Sequence, residues 1–156
     1  MKKKVLFVCT GNSCRSVMAE GIFKHLMAGK ENQFTAASAG INALDDYPAS
    51  EETVRVMQEN GIDVSGHRSR RLTAAMVRTS DKIFVMETFH KDAILRSWPE
   101  AMEKVRLLSE FAVNEKQRSR EIDIPDPIRM PDDFYKNVFR TIRGCVTRMA
   151  KQMEDV

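Results

Sequence analysis

The feature that most restricts this chain is a strand that ends on a cysteine, followed after a short loop by a helix. Val5-Leu6-Phe7-Val8 is a continuous apolar run of strand formers that stops at Cys9, which reads as a strand buried on both faces. Gly11 and Asn12 then permit the positive φ angles of a tight loop. From Ser16 to Met27 apolar residues recur at helical spacing, so the N–H groups of the loop face the amino end of a helix. A loop of that kind cradles an anion.

The cradle holds a thiol. Helix-end amides, the positive end of the macrodipole and the guanidinium of Arg15 all favour the thiolate of Cys9 and make it a nucleophile. The same donors suit the non-bridging oxygens of a phosphoryl group, to which Arg15 offers a two-pronged contact that lysine could not. Thr10, Gly11, Asn12, Ser13, Cys14 and Ser16 complete a phosphate-binding loop around Cys9. Ser16 is placed to donate to the sulfur, and the Asn12 side chain to brace the loop. A thiolate beneath a bound phosphate points to phosphoryl transfer onto sulfur.

The remaining pattern alternates strand and helix. Strands are expected at Phe34–Ser38, at Lys82–Met86 and at Lys104–Leu108. Helices are expected from a Ser50 cap to Gly61, at His90–Trp98, and from Asp132 to Met153 with Phe134, Val138, Ile142, Val146 and Met149 in one stripe. This is an open α/β sandwich with a parallel sheet covered on both faces. Residues 1–156 suit one domain, and no apolar run is long enough to span a bilayer. A net charge of +3 is too small to argue for nucleic acid. Three cysteines cannot pair completely, and two of them lie in a loop that wants a free thiolate, which points to a reducing, cytoplasmic setting. No metal is expected, because the three histidines lack ligand spacing. Nor is a cofactor. Ten methionines, Trp98 and Cys145 read as packing, and Arg68, Arg70 and Arg71 as a solvated basic cluster.

Turnover needs a carboxyl group that protonates the leaving oxygen and then deprotonates water. Ile124-Pro125-Asp126-Pro127 offers Asp126 on a loop stiffened by Pro127. Read alone, an Asp-Pro pair is also an ordinary turn. Asp123, Asp132 and Asp133 are rivals, with Asp132 suited to capping the last helix after Pro131.

The string Cys9-Thr10-Gly11-Asn12-Ser13-Cys14-Arg15-Ser16 resembles the low-molecular-weight protein tyrosine phosphatase family, and thioredoxin-coupled arsenate reductases share it. The resemblance covers essentially the whole chain and implies a three-layer α/β/α fold on a four-stranded parallel sheet. It makes Asp126 the general acid and base, and Ser38 and His67 supports that network with Asn12. Without it, Ser38 reads as a capping serine and His67 as a partly exposed histidine. It places Leu44 beside the substrate ring, with Tyr47 a second candidate wall. Cys14 is either a small buried residue or a thiol that could trap an oxidised Cys9 as a disulfide, and the resemblance favours the second. Three positions depart from the family: Val17 stands where proline is usual, and Ile128 and Arg129 where some relatives carry paired tyrosines.

The expected activity is hydrolysis of phosphotyrosine through phosphocysteine. Phosphoarginine is the second reading, because relatives with that preference carry a small polar residue at the position of Ser13. Arsenate reduction is disfavoured, since Met86–Leu95 lacks the two relay cysteines that the reaction needs. A non-catalytic phosphate-binding module is disfavoured because no chemical group is missing. The expected partner is a phosphorylated protein, with a tyrosine kinase among the candidates, and the chain is expected to act as a monomer away from membranes.

Overall fold

A computed structural model describes residues 2–112 and 123–155. Four parallel strands form one sheet in the order β2-β1-β3-β4, with β1 at Lys3–Cys9, β2 at Phe34–Gly40, β3 at Lys82–Val85 and β4 at Val105–Leu107. The helices are α1 (Arg15–Leu26), α2 (Glu51–Glu59), α3 (Ala74–Thr79), α4 (Thr88–Ser97) and α5 (Asp132–Glu154).

The apolar run of β1 is continuous because both of its faces are covered. Val5, Phe7 and Cys9 point into one core with Met18, Ile22, Met57, Ile142 and Val146, while Leu6 and Val8 point into the other with Val77, Ile83 and Ile94. Thus α1, α2 and α5 cover one face, and α3 and α4 the other. Phe7 stacks on Phe84 at 5.9 Å between ring centroids, tying β1 to β3 within the first core.

Topology positions the site. The chain leaves β1 toward β2 on one side and later returns to β3 on the other side. The loop after Cys9 therefore lies where the strand order reverses, beyond the carboxyl ends of the strands, where open α/β sheets place their ligands.

The expected elements are present with shifted ends. Ser50 caps α2 by accepting from the Thr53 N–H at 3.2 Å. The short helix α3, capped by Thr73, was not expected; six residues carry too little periodicity to read. Two local expectations need correction. Asn12 has φ 54° but Gly11 is not in the left-handed region, because one such residue is enough to turn the loop. Asp132 does not cap α5: Pro131 holds that position, and Asp132 in the first turn pairs with Arg55 at 2.6 Å.

Candidate active site

The loop from Thr10 to Cys14 is held from outside by its carbonyls. Those of Cys9, Thr10 and Ser13 accept from the main-chain amides of Ile41, Asn42 and Ser50 at 2.9, 3.0 and 3.1 Å. That of Asn12 accepts from His67 Nε2 at 2.9 Å. With the carbonyls turned outward, the amides of Thr10 to Cys14 turn inward and donate to nothing among the described residues. No side chain caps the start of α1, where Cys14 is the cap residue. Unspent donors of this kind are what an anion site requires.

Cys9 is 2% exposed, and its sulfur lies 3.0 Å from Ser16 Oγ. The direction of that bond is fixed one step back. Asn12 Nδ2 donates to Ser16 Oγ at 2.8 Å and to Ser38 Oγ at 2.9 Å, and Ser38 donates to Glu20 Oε1 at 2.5 Å. Because Ser16 already accepts from Asn12, its own proton is available to the sulfur. Asn12 Oδ1 takes the amide of Arg70 at 2.9 Å, so the left-handed residue is pinned at both ends of its side chain and at its carbonyl.

Arg15 is 2% exposed. Its Nη1 donates to Glu87 Oε2 and to the Ile124 carbonyl, each at 2.8 Å. Nη2 lies 3.7 Å from Asp126 Oδ2. The anchored Nη1 leaves Nε and Nη2, adjacent on one edge of the plane, for a phosphoryl group. The Asp126 loop is tied to the end of β3 by the Ile124 amide, which donates to the Met86 carbonyl at 2.8 Å. Asp126 accepts the Ile128 amide on Oδ1 at 3.0 Å and keeps its side chain 41% exposed, open to substrate and water.

Two of the rivals, Asp123 and Asp132, are engaged elsewhere. Asp123 Oδ1 accepts from the Thr88 amide at 2.7 Å and from its hydroxyl at 3.0 Å, at the start of α4. Asp132 and Asp133 lie in the first turn of α5.

Cys14 is buried, with Ser50 Oγ at 3.3 Å, Ser13 Oγ at 3.6 Å and Tyr135 OH at 3.8 Å from its sulfur. Burial, with the Cys14 sulfur adding to it, pushes the Tyr135 hydroxyl far above its ordinary range, so it stays protonated. Cys145 is fully buried farther along α5, and burial raises its thiol too. Leu44 and Tyr47 are exposed, as are Phe89, Ile128 and Met130. A cleft of about 1130 Å³ lies behind the loop, lined by Glu20, His67, Arg68, Arg70 and Arg71, and includes neither Cys9 nor Asp126. Among the described residues no cluster of three metal-ligating side chains occurs, and no helix is long and apolar enough to cross a membrane.

Sequence reasoning missed Glu20, Glu87, His90 and Tyr135. Glu87 and His90 stood just past the carboxyl end of β3, where polar residues are candidates for any site at a strand-order reversal. That signal was legible. Glu20 and Tyr135 gave none.

Comparison with known proteins bears on this geometry. The family described as low molecular weight phosphotyrosine protein phosphatase matches residues 4–155. A low molecular weight protein-tyrosine-phosphatase, Ptp, of Acinetobacter johnsonii is 32% identical over 97% of this chain and 98% of its own length. The crystal structure of a low molecular weight protein tyrosine phosphatase from T. tengcongensis superposes with a TM-score of 0.86 at 36% identity, covering 97% of this chain and 99% of that one. The YwlE arginine phosphatase of Geobacillus stearothermophilus superposes with a TM-score of 0.87 at 29% identity, covering 98% and 94%.

Proposed function

The chain belongs to the low molecular weight phosphotyrosine protein phosphatase family and is a phosphatase, and from that premise we propose that it hydrolyses phosphotyrosine in proteins through phosphocysteine on Cys9. The observation that carries this is the Cys9 sulfur beside a ring of unspent amides, with the Ser16 hydroxyl 3.0 Å away.

In the first step the Cys9 thiolate attacks phosphorus as the bond to the phenol oxygen breaks. Asp126 gives its proton to that oxygen. The loop amides and the Nε/Nη2 edge of Arg15 take the charge gathering on the three non-bridging oxygens. In the second step water attacks phosphorus, Asp126 accepts the water's proton, and the sulfur–phosphorus bond breaks to return the thiolate, toward which Ser16 donates. The 3.7 Å approach of Asp126 to Arg15 supports this double role, since its carboxyl stands beside the group that would orient the phosphate. Asn12, Ser38 and His67 act through the loop they hold.

A phosphorylated protein, a tyrosine kinase among the candidates, suits the exposed apolar residues Leu44, Tyr47 and Ile128, the last bonded through its amide to Asp126. Three free cysteines fit a reducing, cytoplasmic setting, and one chain supplies every group used, which fits a monomer.

Phosphoarginine is the second reading, favoured by one observation: Ser13 puts a small hydroxyl side chain in the loop. Peptides carrying phosphotyrosine, phosphoarginine or phosphoserine decide it through kcat/KM. Highest turnover of phosphotyrosine is expected. Preference for phosphoarginine replaces the first reading with the second, and hydrolysis of none of them overturns both.

A further inference from the structure

His90, the third residue of α4, is fully buried and stands between two fixed partners. The Glu87 amide donates to Nδ1 at 3.0 Å, so Nδ1 carries a lone pair, and the single proton of a neutral ring sits on Nε2. Burial, seconded by the Arg15 guanidinium and opposed by Asp123, lowers the imidazole from 6.5 to about 4 and keeps the ring neutral. Nε2 is 2.9 Å from Thr10 Oγ1 and therefore donates to it. Glu87 Oε2, at 3.7 Å, is too distant to compete.

A threonine hydroxyl has one proton to give. Since His90 has its own N–H aimed at Thr10, the Thr10 proton cannot be spent on the ring, and no acceptor for it occurs among the described residues. Thr10 is the residue after Cys9, in the loop whose amides turn inward. The arrangement repeats that of Asn12, whose amide occupies Ser16 and leaves the Ser16 proton for the sulfur.

We propose that His90 is a positioning residue that turns the hydroxyl of Thr10 toward an oxygen of the phosphoryl group held over Cys9. Thr10 then adds a side-chain donor to a cradle otherwise built of main-chain amides and Arg15. This rests on the reading of Cys9 as the nucleophile. It explains why a fully buried histidine with no charge is kept between the strand end and the loop: its tautomer, set by a main-chain amide, fixes a direction.

The test is a double-mutant cycle in the full-length protein, with 4-nitrophenyl phosphate as substrate and inorganic phosphate as competitive inhibitor. Thr10→Val removes the hydroxyl while leaving the sequence of α4 and the Glu87–His90 bond in place, and should lower kcat/KM and weaken phosphate inhibition by about 10- to 100-fold, the range for a hydrogen bond to a charged group. His90→Ala should do the same, and the double variant should lose no more than either single one. Thr10→Ser, which restores the hydroxyl, should recover most of the loss. Near-normal kinetics of Thr10→Val, or losses that simply multiply in the double variant, would reduce His90 to a cap of α4 and overturn the inference. Cys9→Ser separates the two levels: activity surviving in that variant defeats the phosphatase site itself, whereas an inactive Cys9→Ser beside a fully active Thr10→Val defeats only the role given to His90.

Discussion

Arg15 Nη2 stands 3.7 Å from Asp126 Oδ2, while Nη1 of the same guanidinium is held by Glu87 and the Ile124 carbonyl at 2.8 Å. One side of the plane is anchored, and the other makes no hydrogen bond among the described residues. The anchoring partners come from the ends of β3 and of the Asp126 loop, so the three groups are positioned together.

Removing the anchor should therefore affect both stability and binding. Glu87→Ala leaves a buried guanidinium one partner short, which should cost about 1–3 kcal/mol in urea unfolding. It should also weaken inhibition by phosphate. Arg15→Lys should be severely impaired, since a point charge cannot span two oxygens. Normal kinetics in Arg15→Lys would show that the fork is not used.

Loss of the acid should scale with the leaving group. Asp126→Asn is expected to cost about 10² to 10⁴ in rate on a phenyl ester with a poor leaving group, and less on 4-nitrophenyl phosphate. Equal losses on both would indicate a distorted loop instead. Asp123→Asn, which alters the contacts to Thr88 and removes a charge that acts on His90 but does not touch Asp126, should spare this contrast.

Oxidation by peroxide should separate the two loop cysteines. With Cys14 as resolving thiol, the oxidised Cys9 sulfur condenses with it, water leaves, and thiol reductants restore activity. Cys14→Ala should be inactivated irreversibly at the same exposure. Equal recovery of both proteins would leave Cys14 a packing residue among Ser13, Ser50 and Tyr135.

Gly40 tests the loop's backbone. A Cβ there would lie 2.5 Å from the Thr10 carbonyl oxygen and 2.9 Å from the Asn12 amide nitrogen. Neither atom can yield without moving the cradle. Gly40→Ala should cut kcat/KM sharply and lower the melting temperature, and unchanged phosphate binding by that variant would show that the loop tolerates displacement.

Acid stability should report His90. Its folded pKa is lowered to about 4 from 6.5, so on acidification the unfolded chain takes the proton first. The stability tied to the neutral ring is complete above pH 6.5 and is lost as the pH falls toward 4. Urea midpoints measured across that window should drop more steeply for the native protein than for His90→Gln. Parallel slopes would mean that the ring does not stay neutral.

The sequence by itself determined the strand, the loop and the helix around Cys9, because these depend on short-range rules: an apolar run, one left-handed residue, a helical period. Ser50 as a cap and the stripe of α5 were legible for the same reason, with Phe134 only partly buried. The approach of Asp126 to Arg15 was not legible, for 111 positions separate them and only the sheet order carries one loop to the other. Gly11 and Asn12 looked equally able to turn the loop, and the contacts of Asn12 with Ser16, Ser38, Arg70 and His67 decided between them. The tautomer of His90 and the direction of Ser16 likewise belong to tertiary structure, because a proton's position depends on which neighbours have already used their own. Spacing names the groups in this chain; the parallel sheet, closing distant strand ends onto one loop, decides which of them meet.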